Sequence, residues 1–148
     1  MAQIAHRISI AAAPARVHEL LTSSDGIGRW WTGRPVDGDT AVGARFGLYF
    51  GAADQPAAVM RVTTDTPRRV AWRCEEGPAD WRNTEIAFEL KDAPDGGTTL
   101  LFAHTGWAEV NEFLAGCTTN WGAYLTSLKD GAEGSDFGAY PAGEISRW

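Results

Sequence analysis

The chain has 148 residues, a length that suits one domain whose core needs neither a metal nor a disulfide. Its net charge is −6 and no run of Lys or Arg stands out, which argues against a nucleic-acid partner and against an anionic membrane surface. Apolar residues make up 44% and seven residues are Trp, so the expectation is a large core or an aromatic-walled pocket.

No apolar run approaches the ~18 residues that a spanning helix requires, and residues 1–7 lack the basic-then-apolar layout of a leader. A cytoplasmic protein is expected. Cys74 and Cys117 have no metal-ligand spacing and read as reduced core thiols. No metal and no cofactor are expected.

Residues 3–11 alternate. Ile4, His6, Ile8 and Ile10 share one face, which predicts a half-buried strand. Pro14 suits a helix start, and Val17, Leu20 and Leu21 line one side of a short helix. Residues 25–31 form a second short turn or helix ending in Trp30 and Trp31. Residues 33–43 are rich in Gly, Pro and Asp and read as a loop.

Strands follow. Residues 44–50 place Phe46, Leu48 and Phe50 on one face. Residues 57–64 are the next candidate. Residues 69–74 group Val70, Trp72 and Cys74. Residues 84–90 alternate almost perfectly. Asp95-Gly96-Gly97 predicts a hairpin turn, and residues 98–104 return with Leu100, Phe102 and His104 together.

The last element is a helix over residues 109–129. Its apolar positions are Val110, Phe113, Leu114, Cys117, Trp121, Leu125 and Leu128, spaced by three or four apart from one adjacent pair. Asp130-Gly131 is the expected stop, with Gly in the left-handed cap. Local connections favour an antiparallel sheet, and this helix is its natural cover. The expected division is a folded unit over residues 1–131 and a Gly-rich tail over residues 132–148, packed on the surface or at a dimer contact.

This order of elements resembles the α+β helix-grip fold of the START-like, birch-allergen-like superfamily. Within it the chain is similar to the homologue family of the activator of the ninety-kilodalton heat-shock protein's ATPase. The matching pieces are Ala12-Ala13-Pro14-Ala15-Arg16-Val17, Trp30-Trp31-Thr32, Gly43-Ala44-Arg45-Phe46 and Arg69-Val70-Ala71-Trp72. Further along are residues 84–90, His104-Thr105-Gly106-Trp107 and residues 120–129. The resemblance implies a curved antiparallel sheet wrapped around the long C-terminal helix, with two short helices after the first strand. It also implies a cavity for an apolar or aromatic small molecule.

Period two points His6 and His104 toward the helix, whereas His18 reads as a solvated surface residue. Pockets combine many apolar walls with few polar anchors. The expected ligand-binding residues are therefore His6, Trp30, Trp31, Phe46, Trp72, Phe88, Phe102, His104, Trp107, Cys117, Asn120, Trp121 and Tyr124. Asn120 is polar at the edge of the apolar helix face. Gly116 and Gly122 interrupt that helix, as close approach of a strand or ligand would require.

No residue is assigned a catalytic role. There is no Gly-x-Ser-x-Gly elbow and no nucleotide fingerprint. The leading expectation is non-enzymatic binding of a small hydrophobic or aromatic molecule. One alternative is a cyclase- or hydrolase-type enzyme pairing His6 or His104 with Tyr124 or a carboxylate. Another is a chaperone-accessory interaction module, with Trp30, Trp31, Phe137, Tyr140 or Trp148 supplying an exposed patch. The expected state is monomer or homodimer.

Overall fold

Alternation in the first strand sets the inside and outside of the sheet. β1 (Ala2–Ile10) buries Ile4 and Ile10 and exposes Gln3, Ala5, Arg7 and Ser9, as period two requires. The structure is a computed structural model that describes residues 2–50 and 52–135.

Pro14 opens α1 (Pro14–Thr22) in its first turn, where its missing N–H costs nothing. Val17, Leu20 and Leu21 face the core. The Ser23 hydroxyl then caps α2 (Ser24–Ile27), accepting the Gly26 N–H at 3.0 Å. The backbone next widens into a single π turn, Gly28–Thr32. It closes where the Gly33 N–H donates to the Gly28 carbonyl at 2.7 Å. Trp30 and Trp31 are carried on this turn.

The remaining strands are β2 (Asp37–Gly38), β3 (Arg45–Leu48), β4 (Ala58–Thr66), β5 (Arg69–Glu76), β6 (Glu85–Asp92) and β7 (Thr98–Trp107). They form one seven-stranded antiparallel sheet in the order β1-β7-β6-β5-β4-β3-β2. β2 is a short addition inside the stretch expected to be loop. The β6–β7 hairpin turns where expected, with Asp95 and Gly96 both at positive φ (63° and 78°).

Register carries the inward residues across the sheet in rows. One row is Val62, Trp72, Ile86, His104 and Ile4; the next is Val70, Phe88, Phe102 and His6. The opposite face holds ion pairs, among them Arg45 and Arg61 sharing the Glu75 carboxylate.

α3 (Glu112–Ala132) lies against β1, α1 and the π turn and buries Leu114, Cys117, Trp121, Leu125 and Leu128. Sheet, short helices and α3 thus form the expected helix-grip arrangement. The helix differs from expectation at both ends. It starts after Asn111, whose Oδ1 accepts the Leu114 N–H at 2.9 Å. A short polar side chain can satisfy an orphan N–H there and Val110 cannot, so Val110 stays outside the helix and 77% exposed.

At the other end Gly131 is helical and buried, and the left-handed conformation falls to Gly134 (φ 83°). The added turn is held by Glu133, which accepts the Ala11 N–H at 2.8 Å and pairs with Lys129 at 2.6 Å. His18 also departs from expectation. Its Nε2 lies 2.7 Å from Asp65 Oδ1, tying α1 to the end of β4. Phe137, Tyr140 and Trp148 lie outside the described residues. No helix among the described residues is long and apolar enough to cross a membrane.

Candidate functional site

The space between sheet and α3 is filled with aromatic rings. Trp72 comes from β5, Phe88 from β6, Phe102 from β7 and Trp121 from α3. Trp31 enters from the π turn and meets them all but the two phenylalanines. Its ring lies 4.9 Å from Trp121, and it is nearly parallel to Trp30 (5.6 Å, 10°) and Trp72 (5.8 Å, 8°). Phe102 completes the column from below, 4.5 Å from Trp121. Phe46 packs edge-on against Trp72 at 5.2 Å.

At one side of this column is a niche lined by Trp31, Trp81, Cys117, Asn120, Trp121 and Tyr124. Its free volume is about 10 Å³, room for one water molecule at most. A preformed ligand pocket usually offers roughly 300–1,000 Å³. Among the described residues this niche is therefore too small for a ligand, and aromatic side chains occupy the space around it.

Five of the expected residues, Trp31, Cys117, Asn120, Trp121 and Tyr124, come together at the niche. Trp30, Phe46, Trp72, Phe88 and Phe102 lie behind them in the core. Trp107 sits farther along β7, 5.0 Å from the His104 ring. His6 is half-buried on the flank of α3, its Nε2 3.2 Å from the Thr118 carbonyl. Gly122 faces it, and a Cβ there would meet His6 Cε1 at an ordinary 3.7 Å.

Trp81 was not among the expected residues. It comes from a single 3-10 turn, Ala79–Trp81, in a Pro- and Asp-containing connection without periodicity. Its only signal in the sequence is that a large aromatic in a polar connection needs somewhere to be buried.

His104 holds two walls of the niche in place. The Trp121 indole N–H can only donate, and it does so to His104 Nδ1 at 3.2 Å. Nε2 therefore carries the ring proton and donates to Thr84 Oγ1 at 2.8 Å. The Thr84 hydroxyl in turn donates to the Trp81 carbonyl. Both ring nitrogens are thus used inside the protein. Burial pushes the His104 pKa down from 6.5 to about 3, so the ring is neutral.

Cys117 and Tyr124 at the niche are also held in their neutral forms. Burial pushes the Cys117 thiol up to about 11, against a smaller opposing effect from a hydrogen bond with Trp81. Burial, and next the nearby Cys117, push the Tyr124 hydroxyl up to about 12. Neither is activated as a nucleophile or base at neutral pH. Among the described residues, no group of three or more His, Cys, Asp or Glu converges to hold a metal ion.

A larger hollow of about 690 Å³ lies elsewhere, between Ala11, Ala12 and Ala13 and the β6–β7 turn. It is open and lined by small residues with Arg7, Asp95 and Lys129 at its rim. It holds no aromatic ring and none of the expected site residues.

Comparison with known proteins agrees with this architecture. Residues 11–133 match the family model described as Activator of Hsp90 ATPase homolog 1-like protein. The solution structure of the Aha1 dimer from Colwellia psychrerythraea is 34% identical, with a TM-score of 0.81 over 92% of this chain and 99% of that one. CalU16 from Micromonospora echinospora, at 21% identity and a TM-score of 0.74, shares the fold over 97% of this chain and 75% of its own. A Staphylococcus saprophyticus protein, at 16% identity and a TM-score of 0.73, does so over 95% of this chain and 98% of its own. No match is found among curated proteins. With the family model spanning most of the chain and a relative at 34% identity over nearly all of it, the chain belongs to the family of Activator of Hsp90 ATPase homolog 1-like proteins, within the START-like superfamily.

Proposed function

We propose that this protein binds a small aromatic molecule, without turning it over, at the niche between the sheet and α3. The observation that carries the reading is the meeting of four aromatic rings with Asn120 and Cys117 around one small niche of the interior. Rings supply area and stacking, and Asn120 adds a polar side chain at their edge. Binding rather than catalysis is supported by the state of the titratable groups. His104 is neutral with both nitrogens engaged, and the Cys117 and Tyr124 protons are held tightly.

The test is native mass spectrometry of gently purified protein, followed by thermal-shift measurements with small aromatics such as indole and naphthalene. A reproducible adduct or a saturable shift is expected. A bare mass together with no shift from any compound overturns the reading.

A second reading has its own support. The Colwellia psychrerythraea relative is described as a dimer, which favours an interaction module that pairs with a second copy of itself. A doubled mass in the same native spectrum supports it, and a monomer at micromolar concentration in sedimentation removes it.

A further inference from the structure

The niche is too small for any ligand as it stands, so occupation requires something to leave. Three observations identify what leaves. The first is position. Trp31 occupies the centre of the aromatic column, 1% exposed, stacked with Trp30 and Trp72 and against Trp121. Trp121, Trp72 and Phe102 belong to long regular elements, whereas Trp31 belongs to one turn.

The second is tethering. The Trp30 indole N–H donates to the Leu20 carbonyl at 2.9 Å, and the Trp121 N–H donates to His104. The Trp31 N–H has no hydrogen-bond partner among the described residues. Its departure breaks no polar contact.

The third is the backbone. The turn Gly28–Thr32 is π-helical, a wide geometry that occurs in single turns and often at functional sites. Glycines bound it. Gly33 is left-handed (φ 84°) with nothing within 4 Å of where its Cβ would be, so that end has open space around it. Gly28 is packed so closely that a Cβ would sit 2.2 Å from the Arg34 carbonyl oxygen. The two ends are closed onto each other by the Gly33 N–H on the Gly28 carbonyl at 2.7 Å.

We infer that the Trp31 indole is an internal stand-in for the ligand, and that a flat bicyclic aromatic molecule binds by replacing it in the stack with Trp30 and Trp72, against Trp121. The indole leaves by rotation of its own side chain, while the Gly33–Gly28 hydrogen bond keeps the turn closed and Trp30 stays bonded to Leu20. This deepens the binding reading above and rests on it. The space selects for planarity, because the Trp30 and Trp72 faces left behind lie within 10° and 8° of the plane of the departing ring. It selects for size, because the vacated space is that of one indole plus the small adjoining void. An apolar space of this kind stays dry and admits an aromatic guest of matching shape.

The experiment uses the full chain labelled with 5-fluorotryptophan and titrated with indole, followed by fluorine NMR. Trp30 and Trp31 are assigned with Trp30→Phe and Trp31→Phe. The expected result is a saturable displacement of the Trp31 resonance while the tethered Trp30 resonance stays in place. Trp31→Ala is expected to bind indole at least ~10-fold tighter than the parent, since it no longer expels its own ring first. Trp31→Leu serves the same purpose should the alanine variant fold poorly. Indole binding to the parent with an unmoved Trp31 resonance overturns the replacement and leaves the binding reading intact. Binding to Trp31→Ala with none to the parent overturns the replacement, because Trp31 is then a permanent part of the core; the binding reading still stands or falls by the native mass and the thermal shifts.

Discussion

Protonating His104 requires a charge among Trp81, Trp107 and Trp121, and it removes the acceptor that Trp121 uses. Its pKa is depressed from 6.5 to about 3 in the folded state. The unfolded chain therefore takes up a proton below about pH 6.5 and the folded chain does not until about pH 3. The stabilising effect is complete above pH 6.5 and declines as the pH falls, with a slope approaching about 1.4 kcal/mol per pH unit. Urea titrations of the parent and of His104→Gln test this, because Gln can keep both hydrogen bonds without titrating. The parent is expected to lose stability faster than the variant between pH 6 and pH 4; parallel curves would contradict the neutral, buried assignment. The inward aim of His104 was legible from its register with Leu100 and Phe102. Its neutral state was not, because that depends on Thr84 and Trp121 arriving from other elements.

At the scale of the element, the π turn is the part of the chain whose behaviour depends most on backbone rather than side chain. Gly28→Ala forces a Cβ against the Arg34 carbonyl and is expected to cost about 1–3 kcal/mol, as overpacking does. Gly33→Ala meets no atom but must hold φ at 84°, at about 1 kcal/mol. Urea midpoints of the two variants should rank in that order. Equal losses would mean the turn yields at Gly28 as readily as at Gly33. The two indoles and the short helix before them could be read from the sequence. The π geometry could not, since it arises where the chain must reach from α2 to β2 while burying both rings. The ends of α3 follow the same logic. Asn111 supplied a cap that decided the start, and Glu133 reached Ala11 across the fold to decide the end.

For the molecule as a whole, Trp121 joins α3 to the sheet, to the π turn and to Trp81 at once. It is 2% exposed. Trp121→Ala is expected to cost about 3–5 kcal/mol, measured by urea denaturation. A loss under about 1 kcal/mol would show that the column is loosely packed and that its rings border a space rather than fill one. Because β1 pairs with β7 and α3 lies on β1, the first and last described elements complete one core.

The sequence by itself determined the longer strands and the helices, their order, the inward faces of those strands and the apolar face of the last helix. Period and turn chemistry are local, so they survive without coordinates. It also determined that the interior would be aromatic. Only the tertiary structure decided how that interior is used. Whether inward rings surround a space or fill it depends on their mutual packing, and here Trp31 and the unforeseen Trp81 arrive from non-periodic turns and close it. The same residues that specify a pocket by composition specify a packed core by geometry, because van der Waals contact is set by distances that no single stretch of chain contains.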